Sequence, residues 1–100
     1  MLNKGHIDEP TFSRLCGLLG VSVEAIRSGS RKRDLVYRRV VLSRYMNEEM
    51  GMIQEDIGRI LGDMHHSCVG HYRKVYYNEI GNNAVLRGFD RMLMEGVSSI

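Results

Sequence analysis

Residues 53–80, IQEDIGRILGDMHHSCVGHYRKVYYNEI, have the pattern of two helices joined by a short turn. Between the two apolar repeats lies Gly62-Asp63-Met64. A turn of three or four residues that contains a glycine, placed between two helices, is typical of a helix-turn-helix. We therefore predict this motif, with helices over residues 53–61 and 65–80. The apolar positions that recur at helical spacing are Ile53, Ile57, Ile60 and Leu61 in the first helix, continued by Met64 in the turn, and Val69, Tyr72, Tyr76 and Ile80 in the second helix.

The rest of the chain also has helical patterns. Asp8-Glu9-Pro10 is typical of a helix start, and Gly20 of its end. A short helix is predicted from Ser22 to near Ser28, and a long one from about Asp34 to Met50, where Gly51 stops it. On the long helix Leu35, Leu42, Met46 and Glu49 form one stripe, which Val36, Val40 and Ser43 border. A last helix carries Val85, Leu86, Phe89 and Leu93. No segment alternates with a period of two, so we expect an all-α fold of five to six helices, forming one domain over residues 1–100.

Length and composition exclude several classes of protein. One hundred residues are enough for one compact domain, and 43% apolar with 26% charged residues is ordinary for a globular chain. No apolar run approaches the roughly 20 residues of a membrane span, and the N-terminus lacks the apolar stretch of a signal peptide. Cys16 and Cys68 have no paired-motif spacing, which favours free thiols. We expect a cytoplasmic protein with no membrane partner.

The charges are segregated along the chain. Residues 27–44 carry seven Lys or Arg against one acid, a net charge of +6, whereas residues 45–57 carry four acids and no Lys or Arg. Such segregation creates a local field that the overall charge of +2 conceals. An isolated basic run is often only a solvated helix face. Here a second basic and polar cluster, residues 65–74, favours a nucleic-acid surface.

The second helix of the motif is suited to reading DNA. In a helix-turn-helix this helix enters the major groove, and its N-terminal residues reach base edges. His66 and Ser67 are short donors and acceptors at the predicted N-terminus. With Val69, Tyr72 and Tyr76 inward, the outward face carries Ser67, Gly70, His71 and Lys74. Gly70 fits either a close approach of a groove wall or a tolerated surface glycine.

Residues 15–75, LCGLLGVSVEAIRSGSRKRDLVYRRVVLSRYMNEEMGMIQEDIGRILGDMHHSCVGHYRKV, resemble the C-terminal DNA-binding domain of the DnaA family of bacterial chromosomal replication initiators. The likeness covers about Phe12 to Tyr76 and includes "DIG" at 56–58 and "HSCVGH" at 66–71. It implies a Trp-repressor-like helix-turn-helix fold and binding to double-stranded DNA. It also implies a minor-groove role for Arg31. The DNA-contacting residues that we expect, from the resemblance and from the exposed face together, are Arg31, Lys32, Arg33, Arg39, His65, His66, Ser67, Cys68, His71 and Lys74.

The sequence departs from the family pattern at the start of the second helix. Asp63-Met64-His65 stands where the family has Gly-Arg-Asp, Glu55 replaces a proline, and Asn47 replaces a lysine. A histidine that donates would seek the guanine acceptors, whereas an aspartate would accept from the cytosine amine. No G-x-x-x-x-G-K-[ST] motif occurs, so we expect no ATPase activity and no enzyme.

Three alternatives compete with this interpretation. The imidazoles and thiol of residues 65–71 include metal-ligating types, but on a helix only one pair of them could share an ion, so we expect no metal or other cofactor. Cys68 beside His66 lacks a third, orienting group for catalysis. The domain could instead bind a replication or regulatory protein through an acidic patch formed by Glu48, Glu49, Glu55 and Asp56. A basic loop contiguous with the outward face of the second helix would favour DNA, and a large exposed apolar patch would favour a protein partner.

Overall fold

The computed structural model describes residues 6–99, which fold into α-helices and contain no strand. The predicted all-α class is confirmed over these residues; the predicted domain range of 1–100 also includes residues 1–5 and 100, which lie outside them. No helix in this part of the chain is long and apolar enough to cross a membrane. The six helices are α1 (Glu9–Leu18), α2 (Val23–Arg27), α3 (Arg33–Glu48), α4 (Gln54–Ile60), α5 (His66–Glu79) and α6 (Ala84–Ser98).

Side-chain caps and glycines set the ends of the helices where the sequence predicted them. The Asp8 carboxylate accepts a hydrogen bond from the backbone N–H of Thr11 at 2.9 Å and starts α1. The Ser22 hydroxyl does the same for Ala25 at 3.0 Å and starts α2. These bonds satisfy backbone donors that have no partner within the helix. Gly51, with φ of 71°, adopts the left-handed conformation just after α3.

Helix α3 lies at the centre of the fold and packs against α2, α4, α5 and α6. Residues 39–44 are all buried, so the burial does not follow the single stripe predicted for this helix. Leu42 and Met46 are buried as expected, but Leu35 is half-buried and Glu49 is exposed. A radius of gyration of 12.4 Å, close to the roughly 13 Å expected for a globule of this length, shows that the helices form one compact body.

The connection between α4 and α5 depends on a close approach of two backbones. The N–H of Met64 donates to the carbonyl of Gly58 at 2.8 Å. A Cβ atom at Gly58 would lie 2.1 Å from the carbonyl oxygen of Met64, so only glycine fits at this helical position. Gly62 and Asp63 reverse the chain with φ of 105° and 57°, values in the left-handed region. The two helices pack against each other across this turn, in the arrangement that the sequence predicted.

Ile53 does not belong to the buried face of the motif, contrary to the prediction. Its side chain is 58% exposed, while Ile57 and Leu61 are buried. The reason is local: Ile53 is the extended N-cap residue of α4, with φ of −81° and ψ of 159°, so the helical periodicity begins only after it.

Arg27 holds the turn against the first two helices. Its Nε–H donates to the carbonyl of Ile60 at 2.8 Å, and its guanidinium also forms an ion pair with Glu9. A Cβ atom at Gly62 would lie 2.8 Å from the carbonyl oxygen of Arg27, which shows how closely the turn packs on the end of α2. The position of α5 is therefore fixed from the side of α1 and α2 as well as by α3.

Candidate nucleic-acid interface

The start of α5 is fixed by a histidine cap. His65 has an extended backbone, and its Nδ1 accepts a hydrogen bond from the backbone N–H of Ser67 at 3.1 Å. The helix therefore begins at His66, one residue later than predicted. Because Nδ1 is an acceptor in this arrangement, a neutral His65 ring carries its proton on Nε2 and has one ring donor left for another partner.

The polar residues of the first turns of α5 form one exposed surface. His65, His66, Ser67, Cys68 and His71 are all exposed, as is Lys74 one turn further on. The rings of His65 and His66 lie 4.2 Å apart between centroids, and the Ser67 hydroxyl lies 2.8 Å from Nδ1 of His65. Six of the expected DNA-contacting residues therefore share a region of solvent-accessible helix surface. Val69 and Tyr76 are buried on the opposite side.

The loop between α2 and α3, together with the first residue of α3, carries three basic residues. Arg31, Lys32 and Arg33 are exposed, and within residues 6–99 none of the three side chains forms an ion pair. Two serine side chains stabilise the loop that precedes these cations. The Ser28 hydroxyl accepts a hydrogen bond from the N–H of Ser30, and the Ser30 hydroxyl accepts one from the N–H of Lys32, both at 3.3 Å. Three cations are thus available to an external anion.

Arg39 differs from the other expected DNA-contacting residues because its side chain is buried in the fold. Its side chain is 2% exposed. The guanidinium donates to carbonyl oxygens of the loop and of the end of α2, namely those of Ala25, Ile26, Ser28 and Ser30. The N–H groups of Arg39 therefore bind backbone carbonyl oxygens at the end of α2 and in the loop.

The loop and the outward face of α5 border the same groove. This open groove has a volume of about 620 Å³. It is lined by Gly29, Ser30 and Arg31 of the loop and by Ser67, Cys68 and His71 of α5, and the buried Arg39 of α3 also lines it. Residues that lie about 40 positions apart in the chain are therefore contiguous in the fold, as a DNA-binding surface would require.

Gly70 of α5 lies beside Gln54 of α4. A Cβ atom at this position would lie 3.5 Å from the side-chain amide atoms of Gln54, an ordinary contact distance. The fold therefore has room for a side-chain carbon at this half-buried position, and whether a groove wall approaches it stays a prediction.

The acidic residues proposed for a protein partner are mostly paired within the fold. Glu48 lies 3.3 Å from Arg73 and accepts a hydrogen bond from the hydroxyl of Tyr77, and this bond lowers the pKa of Glu48. Glu49 lies 3.6 Å from Arg44. Asp56 pairs with Arg59 at 2.8 Å, and Glu55 is exposed. Charge of opposite sign from α3, α4 and α5 therefore offsets most of the negative segment.

The two cysteines lie in different surroundings. Cys16 is fully buried in the core, and burial raises the pKa of its thiol to about 11. Cys68 is exposed on the groove. Across the described residues, no group of three or more His, Cys, Asp or Glu side chains is arranged to hold a metal ion.

Comparison of the chain with protein-family models, with curated proteins and with solved structures finds no match. The resemblance to the DnaA family therefore stays a prediction, which depends on the motifs and on the site geometry described above.

Proposed function

We propose that this domain binds double-stranded DNA in the manner expected of a DnaA-like helix-turn-helix. The first turns of α5 read base edges in the major groove, and the loop carrying Arg31, Lys32 and Arg33 contacts the adjacent backbone, with Arg31 in the neighbouring minor groove. The observation that carries this proposal is the single groove shared by the loop and the outward face of α5. The function would be sequence-specific regulation of, or an accessory role in, bacterial DNA replication or transcription, without ATPase activity.

The distribution of available charge supports the proposal. The exposed cations on and beside the groove, Arg31, Lys32, Arg33 and Lys74, have no ion pairs among residues 6–99, whereas Glu48, Glu49 and Asp56 do. Phosphate contacts by Lys and Arg dominate the affinity of most DNA-binding domains. The 14 residues of α5 span about 21 Å at 1.5 Å per residue, and the major groove, about 12 Å wide, admits such a helix.

A selection of bound sites from a random duplex library, followed by titrations of the selected duplex over a range of salt concentrations, tests the proposal. The decisive variant is Arg31→Ala/Lys32→Ala/Arg33→Ala, hereafter the loop-neutral variant. It should bind more weakly, and each lost phosphate contact should reduce the log–log salt slope by about 0.9. The matched control removes three exposed arginines elsewhere, in Arg14→Ala/Arg87→Ala/Arg91→Ala.

The control separates local contacts from net charge. The control variant should retain most of the affinity and nearly the whole slope, because its arginines lie on α1 and α6. Equal losses in both triple variants would mean that only overall charge matters. Wild-type affinity in the loop-neutral variant would contradict the proposed function.

A further inference from the structure

A buried cation, the guanidinium of Arg39, lies among the residues that line the groove of the proposed DNA surface, although its side chain is only 2% exposed. Its Nε–H donates to the carbonyl of Ile26 at 2.8 Å, and its two terminal nitrogens donate to Ser30 at 2.8 Å and to Ser28 at 2.9 Å. Among the described residues no carboxylate pairs with it. The buried charge is stabilised by carbonyl dipoles alone.

The geometry of these bonds explains how a buried cation is tolerated. Ile26 belongs to the last turn of α2, where carbonyl groups without helical partners carry partial negative charge. Ser28 and Ser30 belong to the loop that follows. A guanidinium is planar and presents its donors in a fixed fork, so all these bonds form together only when the loop has one particular path.

The residues that follow directly in the chain are the exposed cations Arg31, Lys32 and Arg33. We propose that Arg39 is a positioning residue for DNA binding: it contacts no DNA, but it holds the loop in the conformation that presents these cations beside α5. This inference rests on the proposed function. Ordering the loop before DNA arrives removes an entropy cost that binding would otherwise include. The sequence assigned Arg39 to direct contact; the buried geometry assigns it to loop order.

The test is a double-mutant cycle in DNA affinity. Arg39→Lys is introduced into the wild type and into the loop-neutral variant. Lysine keeps the positive charge but lacks the planar guanidinium with its several donors. The loop should therefore lose its single conformation, while a buried positive charge remains at this position. In the wild type we expect about tenfold weaker binding, and in the loop-neutral variant a change below about twofold, because residues that act through each other are not additive.

Arg38→Lys is the matched control on the same helix. The Arg38 side chain donates to the carbonyl of Leu19 at 2.8 Å and pairs with Asp34, and it makes no bond to the loop over residues 28–32. This substitution should leave DNA affinity unchanged in both backgrounds. Binding is measured with the selected duplex and with a random-sequence duplex at low salt, and thermal melting of each variant confirms that it is folded.

The outcomes separate the two proposals. If the loop-neutral variant binds as the wild type does, the proposed function fails whatever Arg39 does. If that variant is weakened but Arg39→Lys has the same effect in both backgrounds, or none in either, the positioning role is overturned. Should Arg39→Lys fail to fold, Arg39→Gln takes its place in the same cycle with the same criteria, since a neutral amide can donate to two of the same carbonyls without a buried charge.

Discussion

At the scale of single residues, the type of a residue predicted its place in the fold well only where the backbone conformation favours few residue types. Gly51 and the capping Asp8 lie where the sequence placed them, because a left-handed turn and an unsatisfied N–H each favour few residue types. The burial of Arg39 was not predicted, because the resemblance to the DnaA family implied a contact with DNA and arginine is usually exposed. Its spacing gave a signal: it precedes Leu42 by three positions and Met46 by seven, which places it on the buried face.

The two thiols provide a residue-scale prediction about the groove. Cys68 is exposed and Cys16 is buried with a pKa of about 11, so in the native protein at pH 8 one thiol should react with Ellman's reagent and the second only after unfolding in urea. Saturating amounts of the selected duplex should slow the reaction of Cys68, because the proposed interface covers it. Cys68→Ser should abolish the fast phase, and a fast phase that is insensitive to DNA would remove Cys68 from the interface.

At the scale of helices, the ends were predictable and the buried faces only partly so. Caps and glycines are local signals, and five or six helices were expected where six are found among residues 6–99. The buried side of α3 could not be predicted from one stripe, because four other helices pack around it and residues 39–44 are all buried. A helix enclosed on most sides loses the periodicity on which such predictions depend.

The N-cap of α5, His65, is also expected to contact a base, so its substitution should change which DNA sequence the protein prefers. His65→Asp places a better capping residue at the same position, so the helix start should be kept. An aspartate accepts from the cytosine amine where a histidine donor would seek guanine, so preference should change at one base position by about 1–3 kcal/mol. The measurement is a repeated site selection with each protein. His65→Ala, which removes both the cap and the polar ring, should lower stability and relax that position, whereas an unchanged selected site in both variants would mean that His65 reads no base.

At the scale of the whole molecule, charge segregation along the chain is not preserved in the fold. The acidic segment 45–57 is offset by Arg44, Arg59 and Arg73, while the basic loop keeps its charge exposed. Two of these pairs, Arg44 with Glu49 and Arg59 with Asp56, are local in the chain. Only the pair of Arg73 with Glu48 depends on the packing of α3 against α5. Arg31, Lys32 and Arg33 are exposed, whereas the acidic patch of the alternative hypothesis is largely neutralised by these pairs.

Helices α3, α5 and α6 meet at a polar cluster of Arg44, Tyr76 and Asp90. From this cluster we predict how the stability of the fold changes at alkaline pH. Arg44 lies 3.1 Å from Asp90, and the Tyr76 hydroxyl donates to the same carboxylate at 3.0 Å. Burial, together with the charge and hydrogen bond of Asp90 and against the opposing effect of Arg44, raises the pKa of Tyr76 from 10.0 to about 12. The protonated hydroxyl is therefore favoured in the folded state.

The sign of the effect follows from proton binding in the two states. Between pH 10 and about pH 12 the unfolded chain loses the Tyr76 proton while the folded protein keeps it, so the free energy of unfolding should fall as the pH rises through this window. Urea unfolding at a series of pH values measures this change. Cys16, whose pKa is raised from 9.0 to about 11, contributes a similar decline that begins one pH unit lower. Tyr76→Phe lowers stability at neutral pH through the lost bond to Asp90, but its curve should be flatter above pH 10. If the free energy of unfolding falls in parallel for the wild type and for Tyr76→Phe, groups other than Tyr76 cause the loss of stability at alkaline pH.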